Sequence, residues 1–377
     1  MISKKPLFLF IYVFLSINAF CQNYYEMPYV GNRSKLTKLN SREMAEFIAD
    51  NSIRQVFDIP KSGEKEHYGF FSEDEGEVLF AHDIYAKLKG IYREDIPDEN
   101  GNVRLTVYRV MYDFCRTTKL NLNESDKTRR RCYGQVIYVP SNGKWIQYEK
   151  QIYYGDEFWK GSQRTVGVEA KNVQFRICGD NLFAFYTRLA VIHDSVVKTD
   201  KMSENIICRT KLDNIMDKTK ICEVKTGFPL IDKANPFKYS VQNAYDGDPA
   251  TSYVEDSKDD LFEIDMDFMN YQSEYKDSTV TEMKLINGYA SNERMYKANN
   301  RIKDVQYAWE NDSDKVIYSC TDNTMGFQNF YNTDDVKGWV WLEIQSVYKG
   351  EKYNNTPLAE LDVKWGKNGW LFGTPAK

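Results

Sequence analysis

The 377-residue sequence has only three histidines and no Cys-x-x-Cys pair, so it lacks the usual ligand spacing of a zinc site. It contains neither a Gly-rich phosphate-binding loop nor a Gly-x-Ser-x-Gly nucleophile motif. The net charge of −5 at pH 7 gives no electrostatic basis for binding nucleic acid. Beyond the first 21 residues, no apolar run approaches the roughly 20 residues that a membrane helix needs. These absences disfavour a zinc enzyme, a nucleotide-binding protein and a transmembrane protein.

The composition is that of a folded chain rich in aromatic residues. Hydrophobic residues make up 42% and charged residues 28% of the chain, as in globular proteins. The length is sufficient for two domains with a core in each. The 27 tyrosines suit pleated sheets, and they equally suit surfaces that contact sugars, because an apolar ring carries a polar hydroxyl.

The N-terminus has the pattern of an export signal. Two lysines precede an apolar run from Leu7 to Ile17, and Ala19 and Cys21 place small residues at the −3 and −1 positions. We expect cleavage after Cys21 and therefore a periplasmic, cell-surface or secreted protein. The alternative is lipidation of Cys21, although a bulky phenylalanine precedes it.

Six cysteines remain after this cleavage, which permits disulfides in an oxidising compartment. Cys115 and Cys132 flank a basic loop, and Cys208 and Cys222 flank a charged segment, so either pair is a candidate. The alternative is that the thiols are reduced and buried as small hydrophobic groups. The other two cysteines are Cys178 and Cys320.

Local patterns predict mostly strands. A capped apolar pattern predicts a helix over Ser41–Ser52, and apolar residues at helical spacing predict a second helix over His82–Tyr92. Asn142-Gly143 between two strand-like runs predicts a hairpin turn. The other predicted strands are rich in β-branched and aromatic residues, and they include Val103–Tyr112, Gly134–Val139, Trp145–Tyr154, Leu182–Val191, Leu261–Phe268, Glu282–Ile286, Ile302–Trp309, Val316–Cys320, Trp339–Val347 and Leu358–Trp365.

The charged, weakly periodic segment Asp200–Gly227 predicts a linker or a long connection. We therefore divide the chain into a signal peptide (1–21), a β-rich α+β domain (22–225) and a C-terminal domain (226–377). Many short strands with turn residues between them favour an antiparallel sandwich in the last part. The predicted fold class is mainly β.

Five short blocks follow one another in the C-terminal domain. They are Asp246-Gly-Asp-x-x-Thr251, Ile286-Asn-Gly-Tyr-Ala290, Asn299-Asn-Arg301, Ser346-Val-Tyr-Lys-Gly350 and Ala359-Glu360. With these blocks, residues from about 228 to 366 resemble the discoidin-like (coagulation factor V/VIII type C) domain. More narrowly, they resemble the glycan-binding domain found beside secreted bacterial NAD glycohydrolases, where it is linked to translocation. The resemblance implies an antiparallel β-sandwich of the jelly-roll type that binds carbohydrate.

The first block also has chemistry of its own. Asp246, Asp248 and Thr251 place three oxygens on one loop turned by Gly247, and calcium takes six to eight oxygen ligands. The resemblance implies that a calcium ion ties this loop to a glutamate near the C-terminal strand. The alternative is an Asx turn without an ion. The predicted ligands are Asn243, Asp246, Asp248, Thr251, the carbonyl group of Ala359 and Glu360.

Two later clusters offer the side chains that sugars require. Aromatic rings pack on sugar C–H faces, while amide and cationic groups bond the hydroxyls. We expect both clusters to meet at one end of the sandwich and to bind a glycan or glycoconjugate. The candidates are Tyr289, Tyr296, Asn299, Asn300, Arg301, Lys352 and Tyr353.

No catalytic residues emerge from the sequence. His193-Asp194-Ser195 has the residue types of a triad, but adjacent residues cannot form one, and the carboxylate pairs fall in acidic surface stretches. The sequence therefore predicts an exported, non-catalytic carbohydrate-binding protein. Two alternatives stay open: a hydrolase with a cryptic N-terminal catalytic domain that the glycan module targets, and a cell-surface module that adheres to another protein.

Overall fold

The computed structural model describes most of the chain after residue 33. The described residues are 34–49, 66–71, 78–119, 127–154, 157–158, 164–194, 200–232, 235–256, 261–268, 280–309, 315–336, 339–365 and 370. The predicted signal peptide lies outside these ranges. No helix among the described residues is long and apolar enough to cross a membrane.

The first sheet has six antiparallel strands in the order β1-β3-β4-β5-β6, with β2 paired to the other end of β3. The helix α1 (Ser41–Ala49) packs on it through Phe47. The strands are β1 (Lys35–Lys38), β2 (Glu66–Phe71), β3 (Val78–Pro97), β4 (Val103–Lys119), β5 (Lys127–Ser141) and β6 (Lys144–Tyr154).

The second sheet has nine antiparallel strands in the order β15-β14-β17-β12-β11-β10-β9-β8-β7. It is continuous because β11 pairs with β12, with Thr226 opposite Ile264. The strands are β7 (Glu157–Phe158), β8 (Arg164–Cys178), β9 (Asn181–Asp194), β10 (Asp200–Lys211), β11 (Thr219–Thr226), β12 (Glu263–Asp267), β14 (Arg301–Trp309), β15 (Val316–Ser319) and β17 (Trp339–Tyr348).

The third sheet has three antiparallel strands in the order β16-β13-β18. It packs against the nine-stranded sheet, and residues of both sheets share one buried core that includes Leu285, Val305 and Leu361. The strands are β13 (Val280–Asn287), β16 (Phe327–Val336) and β18 (Leu358–Trp365), and the short helix α2 (Glu293–Ala298) precedes β14. The C-terminal part is therefore the antiparallel sandwich that the sequence predicted.

The strands β8 and β9 face two cores at once, because successive side chains of a strand point to opposite faces. Val173 and Phe175 pack toward the first sheet with Leu182. Phe183 and Phe185 pack into the sandwich core instead. The nine-stranded sheet is thus the middle layer of the molecule, with the six-stranded sheet on one face of β8 and β9.

Several local predictions are confirmed. The turn between β5 and β6 contains Asn142 and Gly143 with φ of 50° and 74°, the left-handed values of a two-residue hairpin. The helix predicted over Ser41–Ser52 is present as α1 up to Ala49, and residues 50–52 lie outside the described ranges.

Two secondary-structure predictions are wrong. His82–Tyr92 is part of the strand β3, which pairs with β4 along almost its whole length, so pairing overrides the helical spacing of its apolar residues. Asp200–Gly227 is not a linker, because it forms β10 and β11 and continues the central sheet. The sheet therefore runs continuously past residue 225.

The candidate disulfide between Cys208 and Cys222 is not formed, because both thiols are free, as in the alternative of reduced and buried cysteines. A bulge separates Ile207 from Cys208 in the pairing of β10 with β11. Cys208 packs toward the first sheet, while Cys222 lies in the sandwich core. The side chains of Cys115 and Cys132 lie outside the described residues.

Candidate functional site

Four loops gather at one end of the sandwich. β13 ends at Asn287 opposite the first residue of β18, and β14 begins at Arg301 opposite the last residue of β17. Tyr253 joins the same end through a bridge to Leu358. We call this region the loop end and define it as residues 246–253, 288–300, 320–326 and 349–357. The two sequence clusters predicted to converge do meet here.

The first loop of the loop end is closed by its own side chains. Asp246 accepts hydrogen bonds from the Asp248 amide (2.8 Å) and the Thr251 hydroxyl (2.9 Å). Asp248 accepts one from the Ala250 amide (3.0 Å). Gly247 lies between them with φ of 75°, a value that favours glycine. This is the Asx-turn arrangement that the sequence left as the alternative to an ion.

Glu360 reaches this loop from β18, as predicted. It accepts a hydrogen bond from the Gly247 amide, and both Glu360 and Asp246 are buried. Burial raises the pKa of each carboxyl group. The negative charge of Asp246 raises the pKa of Glu360 further, and that of Asp248 raises the pKa of Asp246. One oxygen of Glu360, Oε1, has no hydrogen-bond partner. The convergence of distant acidic residues is therefore real.

The remaining predicted ligands are arranged differently. The amide nitrogen of Asn243 donates to the carbonyl oxygens of Phe237, Lys238 and Ser252, so its NH₂ group holds the chain on either side of the loop. Ala359 is fully buried within β18. No group of three or more His, Cys, Asp or Glu side chains in the described ranges is arranged to hold a metal ion. The Asp246 and Asp248 carboxylates are thus engaged by amides and a hydroxyl group of their own loop, whereas a calcium ion takes six to eight oxygen ligands.

A cation that the sequence analysis missed lies beside this loop. Arg176 of β8 donates a hydrogen bond of 2.6 Å to the carbonyl oxygen of Tyr245. Its guanidinium group packs so close to Gly247 that a Cβ atom there would lie 2.4 Å from Nη2. A second buried cation, Lys284, lies 3.5 Å from Asp362. No local signal in the sequence marks Arg176, because it precedes the loop by about 70 residues.

Arg301, a predicted sugar ligand, is instead buried and fully engaged. Its guanidinium group pairs with both carboxylate oxygens of Asp322, at 2.8 and 3.0 Å. It also donates to the carbonyl oxygens of Asn299 (3.2 Å) and Lys349 (3.3 Å). Arg301 thus joins three of the four loops, which is a structural role.

The neighbouring candidates also hold the loops together. Asn300 donates to the Asn354 carbonyl (2.6 Å) and accepts from the Gly350 amide (2.9 Å). Asn299 donates to the Met295 carbonyl oxygen (2.9 Å). Tyr296 is 1% exposed, and its hydroxyl donates to the carbonyl oxygen of Thr324 (3.2 Å). These residues define the shape of the loop end from beneath its surface.

Three of the predicted sugar ligands reach solvent. Tyr353 is 40% exposed, with Lys352 lying 5.0 Å from its ring centroid. Tyr289 is half-buried on the side of the loop end that carries Asp248.

Two residues that no sequence block contains lie beside Tyr289. Tyr239 is half-buried there, with Lys238 lying 4.9 Å from its ring centroid, and both residues act electrostatically on the Tyr289 hydroxyl. The loop end and the adjacent Lys238-Tyr239 segment therefore expose three tyrosines and two lysines between them.

A separate groove of about 430 Å³ lies between α1 and the first sheet. Asp95 in its wall accepts hydrogen bonds from Arg93 (2.8 Å) and from the Thr106 hydroxyl (2.7 Å). The floor is partly apolar, with Phe47 and Tyr108 in contact. This groove is far in sequence from the loop end and shares no residues with it.

The family comparison agrees with this geometry. The model of the NAD glycohydrolase translocation F5/8 type C domain matches residues 216–364. The C-terminal region is a domain of this family. The F5/8 domain thus begins before residue 226 and includes β11, the strand that joins it to the upstream sheet. The resemblance predicted from the sequence blocks is confirmed.

A solved structure is also similar. It is the C-terminal domain of a chitobiase from Bacteroides fragilis, with 16% sequence identity and a TM-score of 0.27. The match covers 38% of this chain and 93% of that domain. No curated protein matches the chain.

Proposed function

We propose that this protein is an exported, non-catalytic carbohydrate-binding protein whose F5/8 domain contacts the glycan. The observation that carries the proposal is that Tyr353 and Lys352 are exposed on the loop end, while the residues beneath them are held in place by hydrogen bonds. Domains of this family often bind carbohydrate, and a rigid aromatic ring beside a hydrogen-bond donor suits a sugar.

The fixed geometry of the loop end supports this function. The backbone amide of Tyr353 donates to the Ala298 carbonyl oxygen (2.8 Å), and that of Lys352 donates to the same oxygen (3.0 Å). The exposed side chains are therefore mounted on a backbone that is already ordered. Preorganised groups lose little conformational entropy on binding, so a modest number of contacts can suffice.

A glycan array probed with the full chain lacking residues 1–21 tests the proposal. We expect hits that weaken at least tenfold in Tyr353→Ala and in Lys352→Ala, and that weaken further when Tyr289→Ala is added. Ile317→Ala is the matched control, because Ile317 is 60% exposed on β15, outside the loop end. An empty array, or an equal loss in the Ile317→Ala control, would contradict the proposal.

Export is the second part of the proposal, and it is tested separately. Expression of the full chain in a secreting bacterial host should yield a mature protein that begins at residue 22, read by N-terminal sequencing. A lipid-modified Cys21 would support the alternative lipoprotein form, and an intact Met1 in the cytoplasmic fraction would contradict export.

A further inference from the structure

The upstream strand β8 presents a polar face to the F5/8 domain. Asn172, Gln174 and Arg176 alternate with the apolar residues that face the first sheet, so they share the opposite face of the strand. Asn172 and Gln174 are 1% exposed and Arg176 is 7% exposed. Strand pairing places Arg176 opposite Phe183, which lies in the sandwich core. A cationic side chain from outside the domain is therefore buried against it.

The loop of the F5/8 domain closes around this guanidinium group. Arg176 binds the carbonyl oxygen of Tyr245 at 2.6 Å, one residue before Asp246. At Gly247 a side chain would collide with the guanidinium atoms, with Cζ at 2.5 Å. The positive φ of Gly247 turns its amide toward Glu360. The shape of the loop and the position of the arginine are thus mutually dependent.

The local charges explain why a cation is needed here. Asp246, Glu360 and Asp362 are all buried, and buried carboxylates without a partner cost several kcal/mol each. Lys284 pairs with Asp362. Among the residues that the structure describes, Arg176 is the cation whose positive charge lowers the pKa of both Asp246 and Glu360. A guanidinium group stays charged at all working pH values, which suits a permanently buried partner.

We propose that Arg176, on a strand upstream of the F5/8 domain, supplies in this protein the positive charge that a calcium ion would supply, and so positions the Asp246–Thr251 loop against Glu360. Arg176 is a positioning residue for the loop end. The consequence is that the loop end needs no metal ion, and that its shape depends on the N-terminal half of the chain.

The unfolding temperature of the chain lacking residues 1–21, measured in calcium and in chelator, tests the proposal without any glycan. The wild type should give the same value in both. Arg176→Met, which keeps the length of the side chain without its charge, should lower the unfolding temperature by about 5 °C or more. Arg176→Lys should recover part of this loss. Arg188→Met is the matched control on the neighbouring strand, where the pair with Glu204 is partly exposed, and it should change little.

A charge-rescue experiment separates charge balance from simple packing. Adding Glu360→Gln to Arg176→Met should reduce the loss, because it removes an acidic group that has lost its cation. If the loss came from packing alone, Glu360→Gln would not reduce it.

Besides a failed charge rescue, three results would overturn the proposal: a chelator-induced drop for the wild type, saturable calcium binding to the wild type by calorimetry, or unchanged stability of Arg176→Met. The first two need no variant, so the proposal remains testable if Arg176→Met does not fold.

Discussion

The guanidinium group of Arg301 and the carboxylate group of Asp322 form a two-point pair, with distances of 2.8 and 3.0 Å. Asp322 lies in the connection between β15 and β16, while Arg301 begins β14. The pair therefore fixes two loops of the loop end relative to each other, beneath the surface where Tyr353 is exposed.

Replacing Arg301 should destabilise the protein. The side chains are 10% and 25% exposed, so Arg301→Ala leaves a partly buried carboxylate unpaired and should cost about 2–3 kcal/mol in the free energy of unfolding. Denaturant unfolding measures this. The control is Lys297→Ala in the same loop end, whose exposed pair with Glu293 should contribute little to stability because solvent screens it. Equal costs for the two variants would refute the structural role of Arg301.

The Arg301–Asp322 pair should also make the free energy of unfolding depend on pH in the acidic range. The hydrogen bond from Arg301 lowers the pKa of Asp322 below its usual 3.8. A carboxyl group with a lowered folded pKa contributes stability that is present above the unfolded pKa and is lost as pH falls through the folded pKa. The stability gap between wild type and Asp322→Asn should therefore be constant from pH 7 to about pH 5 and shrink below pH 4.

Urea unfolding at several pH values measures this gap. Asp213→Asn, at an exposed turn residue between β10 and β11, is the control and should show a small gap throughout. A gap between wild type and Asp322→Asn that widens as pH falls would contradict the assignment.

Gly350 should not tolerate alanine. A Cβ atom there would lie 2.4 Å from the Asn299 carbonyl carbon and 2.6 Å from the Ala298 carbonyl oxygen, both of which are backbone atoms that cannot move aside. We expect Gly350→Ala to lower the free energy of unfolding by about 1–3 kcal/mol and to weaken glycan binding. Gly326→Ala is the matched control, since nothing lies within 4 Å of its Cβ position. Equal stability of the two variants would contradict this close approach.

The F5/8 domain should not fold when cut at residue 226. A chain of residues 226–377 lacks β11 and so leaves the edge of β12 unpaired, and it loses the core side chains of Phe183, Phe185 and Ile207. An unpaired, apolar edge favours aggregation. A chain starting at residue 164 keeps these elements and Arg176. Cooperative unfolding and protection of backbone amides from exchange should be seen for the longer chain and not for the shorter one. Equal amide protection in the two chains would contradict a sheet that is continuous from β11 to β12.

Local chemistry accounts for the part of this protein that the sequence could predict. Strands follow from β-branched and aromatic runs, and the β5–β6 turn follows from Asn142-Gly143, because only certain residues accept positive φ. The five ordered blocks predicted the F5/8 family. The approach of Glu360 to the Asp246 loop also came from this pattern.

Only the tertiary structure decided which partners these residues meet. The apolar spacing of His82–Tyr92 fits a helix, but pairing with β4 on a long sheet makes it a strand. Arg301 has the chemistry of a sugar ligand, and yet Asp322, about 20 residues away, turns it inward. The cation of the acidic loop comes from Arg176, far upstream. Burial, hydrogen bonding and charge balance depend on contacts between distant segments, and no local pattern encodes those contacts.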